Sequence, residues 1–302
     1  MSTPIDFSGR TVIVTGAGNG IGRAHALMLG SRGASVVVND IGGTVNGVGG
    51  DGAAAQSVVD EIQAAGGTAI ASTESVAAPE GGEAVVARAV DTFGRVDAVI
   101  HNAGILRDRS FAKVTGDDID PVLDVHLRGA FNVLRPAWPH MIEQRYGRIL
   151  LTTSASGLLG NYGQASYAAG KAGLLGLMNV LSVEGARHGI LANALSPTAA
   201  TRMTEGLLGE LTEHFDPRHV AAVATYLVSE RCELTHHVLS ASGGRVARLF
   251  VGSTRGWYGG REPVEPEAVH DALEEILDLD DFVVPKDGDD EVALILEALQ
   301  GS

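Results

Sequence analysis

Tyr167-Ala168-Ala169-Gly170-Lys171 places a phenol and an ammonium one helical turn apart, and Ser154 lies thirteen residues upstream. Residues four apart share a helix face, so the tyrosine and lysine can act on one reacting group. A phenol with a pKa of about 10 is a poor base near neutrality. A nearby cation favours the phenolate, and each tenfold gain in acidity is worth about 1.4 kcal/mol. Lys171 is placed to supply that charge. Tyr167 would then take the proton of an alcohol as hydride leaves its carbon, or donate it in reduction, while Ser154 hydrogen-bonds the developing carbonyl oxygen. The bland alternative is an incidental helical Tyr/Lys couple.

Hydride chemistry needs a dinucleotide, and Thr15-Gly16-Ala17-Gly18-Asn19-Gly20-Ile21-Gly22 supplies a cradle for one. The segment follows an apolar strand pattern and opens a helix, where free backbone N–H groups and the helix dipole hold a pyrophosphate. Gly16, Gly18, Asn19, Gly20, Ile21 and Gly22 are the expected contacts. Its spelling is Thr-Gly-x-x-x-Gly-x-Gly, so the usual G-x-G-x-x-G pattern misses it. A glycine-rich turn with no cofactor is the competing reading. Asp40 ends the second strand, where a carboxylate accepts from an adenosine ribose and repels a 2′-phosphate, which favours NAD over NADP; otherwise it is a strand-end turn residue. Ser75 and Val76 after the third strand, and Asn102-Ala103-Gly104 after the fourth, are expected to line the cofactor. Asn102 serves equally as support of the sheet.

The elements that must position these groups alternate. Apolar, β-branched runs at Thr11–Thr15, Ser35–Asn39, Thr68–Ala71, Ala98–His101, Ile149–Thr153 and Ile190–Ala194 read as strands, with a last one near His237–Ala241. Helical patterns occupy Ile21–Arg32, Ala53–Ala65, Ala84–Phe93, Asp118–Gln144, Ala165–Arg187 and Pro217–Ser229. The alternation predicts an α/β fold with a doubly wound parallel sheet of the Rossmann type, a single domain over residues 1–251 with an extension at 252–302. Val246–Val251 either extends the last strand or starts a surface arm. Gly42–Gly52 holds six glycines in eleven residues and reads as a mobile loop.

Composition limits the partners. The net charge of −15 is uneven: Glu262 to Ser302 contains fourteen acids against the one base Lys286, and so holds −13 of it. The remaining 261 residues are nearly neutral, which argues against nucleic acid. Ala268 to Leu277 and Val292 to Leu299 repeat apolar residues at helical spacing, predicting two short helices that pack on the body or on a neighbouring subunit, or else remain a free tail. No apolar run approaches the roughly 18 residues of a membrane span, and the first thirty residues lack a signal pattern, so the expected location is cytoplasmic. The single cysteine, Cys232, excludes an intramolecular disulfide and a thiol metal cluster and is expected within a helix. No metal is expected.

Taken together, residues 6 to 251 resemble the short-chain dehydrogenase/reductase superfamily. The resemblance implies that Tyr167 is the general acid/base, that Ser154 positions substrate and that Lys171 also binds the nicotinamide ribose. Members usually carry an asparagine where this chain has His126, within Val125-His126-Leu127-Arg128-Gly129-Ala130-Phe131. His126 either replaces it as a fourth member of the set or is a satisfied core histidine. The resemblance also implies dimers or tetramers paired through the long fourth and fifth helices.

A narrower likeness rests on Val38-Asn39-Asp40 with its glycine-rich sequel, Gly104-Ile105-Leu106-Arg107-Asp108-Arg109-Ser110-Phe111, Val125 to Phe131, and Ser154-Ala155-Ser156-Gly157 through Gly163-Gln164-Ala165. These resemble the dehydrogenase part of the multifunctional-enzyme type 2 family, whose reaction is NAD-dependent oxidation of (3R)-hydroxyacyl-CoA, with 17β-hydroxysteroids as further substrates. Without the hydratase and sterol-carrier domains and with the ending Leu299-Gln300-Gly301-Ser302, the chain is expected to be a stand-alone, bacterial relative.

On the substrate side a variable lid is expected near Ser196 to Phe215. Pro197, Thr201 and Met203 are candidates to touch cofactor or acyl chain, or simply to pack the lid. Arg107, Arg109, Arg128, Arg202, Arg245, Arg248 and Arg255 are candidates for the phosphates of an acyl-CoA, or ordinary surface arginines. The leading expectation is an NAD-dependent 3-hydroxyacyl-CoA dehydrogenase of β-oxidation, with a steroid side chain among the candidate acyl groups. The alternatives are a 17β-hydroxysteroid dehydrogenase acting on free steroid, and a non-catalytic dinucleotide-binding regulatory or assembly protein.

Overall fold

The computed structural model describes residues 3–50, 52–201 and 209–300. It packs as two units, Met1–Arg248 and Leu249–Ser302.

In the first unit, strands and helices alternate: β1 (Thr11–Thr15), α1 (Gly20–Gly30), β2 (Ser35–Asn39), α2 (Ala53–Ala64), β3 (Thr68–Ser72), α3 (Pro79–Phe93) and β4 (Ala98–His101). There follow α4 (Gly116–Leu123), α5 (Gly129–Gln144), β5 (Gly147–Thr152), α6 (Ala155–Leu159), α7 (Ala165–Gly185), β6 (Ile190–Thr198), α8 (Pro217–Leu227), β7 (Val238–Ser242) and β8 (Arg245–Leu249). The sheet order is β3-β2-β1-β4-β5-β6-β7-β8. Neighbours from β3 to β7 pair in parallel, for example Ile13 with Val37 and Val99, and Leu150 with Asn193. Such strands are covered on both faces, so every residue of β1, β4 and β5 is buried. Val12, Val14, Val36, Val38, Ile100 and Leu150 join the core against α1, α2 and α8. Each buried aliphatic side chain contributes about 1.5–3 kcal/mol relative to exposure.

The order reverses between β1 and β4, which leaves a crevice beyond the carboxyl ends of the strands. Local signals set the connections. Pro79 starts α3 and Gly94, at φ +76°, ends it; Pro217 starts α8 after Asp216, whose carboxylate accepts from Arg218 N. Asp118 accepts from the Thr115 backbone N–H and hydroxyl at the start of α4.

Several expectations need correction. The helix predicted over Asp118–Gln144 is interrupted by a π-turn at Asp124–Arg128, in which Gly129 N–H reaches back five residues to Asp124 O. Ser196 to Thr198 belong to β6 rather than to a lid, since Pro197 pairs with Ala241 and Thr198 with Ser242. Cys232 lies in the turn after α8, not in a helix; it is buried with Sγ 3.7 Å from Leu234 O. Of the Val246–Val251 run, the part up to Leu249 belongs to an eighth strand, β8, instead of prolonging the seventh. Gly243 and Gly244, at φ +52° and +81°, supply the tight turn between them. Within the glycine-rich loop, Gly47 N–H bonds Thr44 O and Thr44 N–H bonds Val48 O. No helix among the described residues is long and apolar enough to cross a membrane.

The second unit contains β9 (Ser253–Thr254), α9 (Pro266–Asp271), α10 (Leu273–Ile276), β10 (Phe282–Val283) and α11 (Gly288–Gln300). β9 and β10 pair antiparallel, Phe250 stacks on Phe282 at 5.8 Å, and Arg255 lies 3.3 Å from both Asp281 and Glu297. The first expected tail helix is split at Ala272 into two short pieces.

Candidate active site

The first wall of the crevice is backbone. Gly16 and Gly20 have φ of +63° and +54°, which glycine adopts without strain. A Cβ on Gly16 would sit 2.7 Å from Ala103 Cα. On Gly22 it would sit 2.1 Å from Gly16 O. Gly18 N–H donates to Asp40 Oδ2 at 2.8 Å and Gly42 N–H to Oδ1 at 2.7 Å, which fixes the carboxylate at the end of β2. Asn102 donates through Nδ2 to Thr15 O and Gly16 O, so it braces the turn and also faces the crevice. A loop whose Gly16, Gly18 and Gly22 leave no room for a Cβ, at the N-terminus of α1 and beside a fixed carboxylate, fits a dinucleotide.

The second wall is made of side chains. The cleft of about 570 Å³ is lined by Ser154, Tyr167, Lys171 and His126. Ser154 follows β5 as the N-cap of α6, its Oγ accepting from Ser156 N–H at 3.2 Å, and it shares the cleft with Tyr167. Burial pushes the Tyr167 phenol above its ordinary value, the Ser154 hydroxyl pulls it down, and the charge of Asp108 pushes it up. Lys171 is buried, which drops its ammonium to about 7. Its Nζ donates to Thr152 O at 2.6 Å and lies 5.6 Å from the centre of the Tyr167 ring. The net direction for the phenol is upward, because burial outweighs the contribution of Ser154, while the Lys171 ammonium is turned toward a strand-end carbonyl.

His126 is buried at the centre of the π-turn. Its Nε2 lies 3.0 Å from Ile105 N and 2.8 Å from Ile105 O, and its ring meets Tyr167 edge-on at 5.2 Å and 87°. Glycine at 104 is required here, since a Cβ would come within 2.4 Å of His126 Cε1. Burial, then the charge of Lys171, holds this imidazole well below its ordinary value, so it is neutral. Its Nδ1 has no hydrogen-bond partner among the described residues.

Of the residues expected at the cofactor, Gly16, Asn19, Gly20, Ile21 and Asp40 line the cleft, as do Ser75, Val76, Asn102, Ala103, Gly104, Pro197 and Thr201. Gly18 and Gly22 stand behind the wall, Gly18 against Asp40 and Gly22 beneath Gly16 and Asn102. Arg202 and Met203 lie outside the described residues. Among the candidate arginines only Arg107 is described at the cleft, bridging Asn46 O and Asp117 O; Arg109 pairs with Asp118 and Arg128 with Asp124. Two contributors carry no sequence signal of their own. Gln164 links Ser156, Asn161 and Asp108 at the head of α7. His101 connects Thr15 to the π-turn.

The model of the short chain dehydrogenase family matches residues 10–210. Peroxisomal multifunctional enzyme type 2 of Mus musculus is 46% identical over 302 residues, covering 99% of this chain and 41% of that protein. A hydroxyacyl-CoA dehydrogenase of Mycobacterium tuberculosis is 36% identical over 243 residues, covering 74% of each. The solved full-length peroxisomal multifunctional enzyme type 2 from Drosophila melanogaster superposes with a TM-score of 0.84 at 36% identity, over 98% of this chain and 50% of that one. The chain thus spans about half or less of these multifunctional relatives. Given this match, a crevice at the sheet's switch point and a serine, a tyrosine and a lysine together inside it, the chain belongs to the short-chain dehydrogenase family of oxidoreductases, which act on CH–OH groups.

Proposed function

We propose that this chain oxidises 3-hydroxyacyl-CoA thioesters to 3-oxoacyl-CoA with NAD, and that Tyr167 is the general acid/base. The observation that carries the reading is that Tyr167, Ser154 and Lys171 line one cleft together with Asp40 and the glycine loop. Bound NAD supplies the acceptor for the hydride that leaves the carbinol carbon. Gly16, Gly20, Asn102 and Lys171 would hold it, and the fixed Asp40 carboxylate disfavours a 2′-phosphate. Tyr167, as phenolate, takes the hydroxyl proton while Ser154 donates to the substrate oxygen as it becomes a carbonyl. In the reverse direction the protonated phenol, the form that burial favours here, returns that proton.

The acyl-CoA substrate is supported by the likeness to a hydroxyacyl-CoA dehydrogenase and to the multifunctional enzymes. We propose a homodimer or homotetramer, on the superfamily resemblance of the sequence, acting in the cytoplasm. The test follows NADH formation by the purified chain with 3-hydroxyacyl-CoAs of several lengths, a steroid-side-chain CoA thioester and a free 17β-hydroxysteroid. A thioester is expected to give the highest kcat/KM with NAD. A free steroid that exceeds every thioester overturns the substrate assignment, and equal use of NADP overturns the cofactor assignment.

A further inference from the structure

His101, the last residue of β4, is buried behind the cleft wall, yet both of its ring nitrogens are engaged. Nδ1 lies 3.2 Å from Thr15 Oγ1 and Nε2 lies 3.0 Å from the carbonyl oxygen of His126. The protons on this path can be assigned. Thr15 Oγ1 accepts from Asn102 N–H and Ala103 N–H, each at 3.1 Å, so both of its lone pairs are taken and its own hydrogen must be given. The acceptor within reach is His101 Nδ1. That leaves the ring proton on Nε2, which donates to the carbonyl of His126, the central residue of the π-turn. Burial, with the charge of Lys171 second, pushes His101 down to about 4, so the neutral form that this pattern needs is the resident one. The ring is also seated tightly. A Cβ on Gly129, the first residue of α5, would meet His101 Cε1 at 3.3 Å.

We propose that His101 is a positioning residue for the reaction: it ties the start of the phosphate loop at Thr15 to the π-turn, and so sets where the His126 ring meets Tyr167. The proposal rests on Tyr167 being the acid/base. The tie has a definite reach: from Thr15 Oγ1 through one imidazole to His126 O, then from His126 Nε2 to Ile105 and from its ring edge to Tyr167. Polar partners stranded by its removal are buried, and leaving a buried polar group unsatisfied is costly. The π-turn can relieve that cost only by moving, which carries the His126 ring with it.

The test has two parts. In the intact wild-type protein, histidine ¹⁵N chemical shifts report the tautomer directly. His101 is expected to be neutral near pH 7 with the proton on Nε2, and a proton on Nδ1 alone, or on both nitrogens, overturns the proposal. In the NADH assay, His101→Leu is expected to lower kcat about tenfold or more while the KM for NAD stays within about twofold. His101→Asn retains an acceptor and a donor and is expected to recover most of the loss. Wild-type kcat in His101→Leu, or equal impairment in both variants, overturns it. Tyr167→Phe is assayed alongside: if that variant keeps its activity the acid/base reading has failed, whereas the tautomer measurement stands apart from it. The ¹⁵N measurement also decides the question should His101→Leu not fold.

Discussion

The two walls of the crevice are built on different principles. On the nucleotide side the working groups are backbone N–H donors and a single carboxylate, and glycines at 16, 18, 20 and 22 matter for the Cβ they lack. On the reaction side the working groups are side chains brought from the start of α6, the π-turn and α7, and they are placed by neighbouring side chains and by backbone groups such as Ile105 and the strand-end carbonyl of Thr152. A backbone site tolerates little change of shape but is indifferent to protonation. A side-chain site is sensitive to every proton in its network. Affinity for cofactor and speed of reaction should therefore respond to different substitutions.

A large effect is expected from Lys171→Met, which acts on the reaction wall and also on the NAD that Lys171 would hold. Removing the buried ammonium 5.6 Å from the Tyr167 ring should lower kcat/KM by about 10²–10³, the range in which proton-transfer groups contribute, and steady-state kinetics checks it. Asp40→Ala works on the other wall. It should reduce the preference for NAD over NADP about tenfold, read as the ratio of kcat/KM values, with kcat at saturation little changed. Unaltered discrimination would show that Asp40 does not select the cofactor. Gly22→Ala puts a methyl 2.1 Å from Gly16 O, and should cost about 1–3 kcal/mol of stability and weaken NAD binding, as followed by denaturant melts with and without NAD.

The smallest effect per unit of pH concerns His25 on α1. It is fully buried with neither ring nitrogen partnered among the described residues, and burial drops it from 6.5 to about 3. The folded state refuses a proton that the unfolded state accepts below about pH 6.5. Stability is therefore unaffected by this group above that pH and falls by about 1.4 kcal/mol per unit between roughly 6.5 and 3. Melts of His25→Leu against the parent across pH 8 to 5 should diverge as pH falls, the variant losing less. Parallel curves would mean that His25 finds a partner in solution.

Legibility in the sequence follows the same division. The glycine spacing, the β-branched runs and the Tyr/Lys interval are local patterns, and they predict the seven parallel strands and both walls. What they do not contain is a change of pitch. Asp118 to Gln144 keeps helical periodicity straight through the π-turn, since buried Val122, His126, Gly129 and Val133 recur at three- and four-residue steps. Nor do they contain couplings across many residues. His101 and His126 are ordinary within their own windows, and their relation exists only once β4 lies beside the turn. Ser196 to Thr198 fall at the start of the expected lid, and only their pairing with β7 makes them strand. Proximity alone makes Lys171 an acidifier of Tyr167. Burial, which a sequence does not state, makes the net direction upward.

That Tyr167 moves the proton while the backbone wall holds the dinucleotide can be tested on one preparation of Tyr167→Phe, by measuring both NAD binding by calorimetry and NADH formation with the best thioester substrate. Binding is expected within a few-fold of the parent and turnover lower by about 10³ or more. Near-full turnover with undisturbed binding would contradict the assignment of Tyr167 as the acid/base.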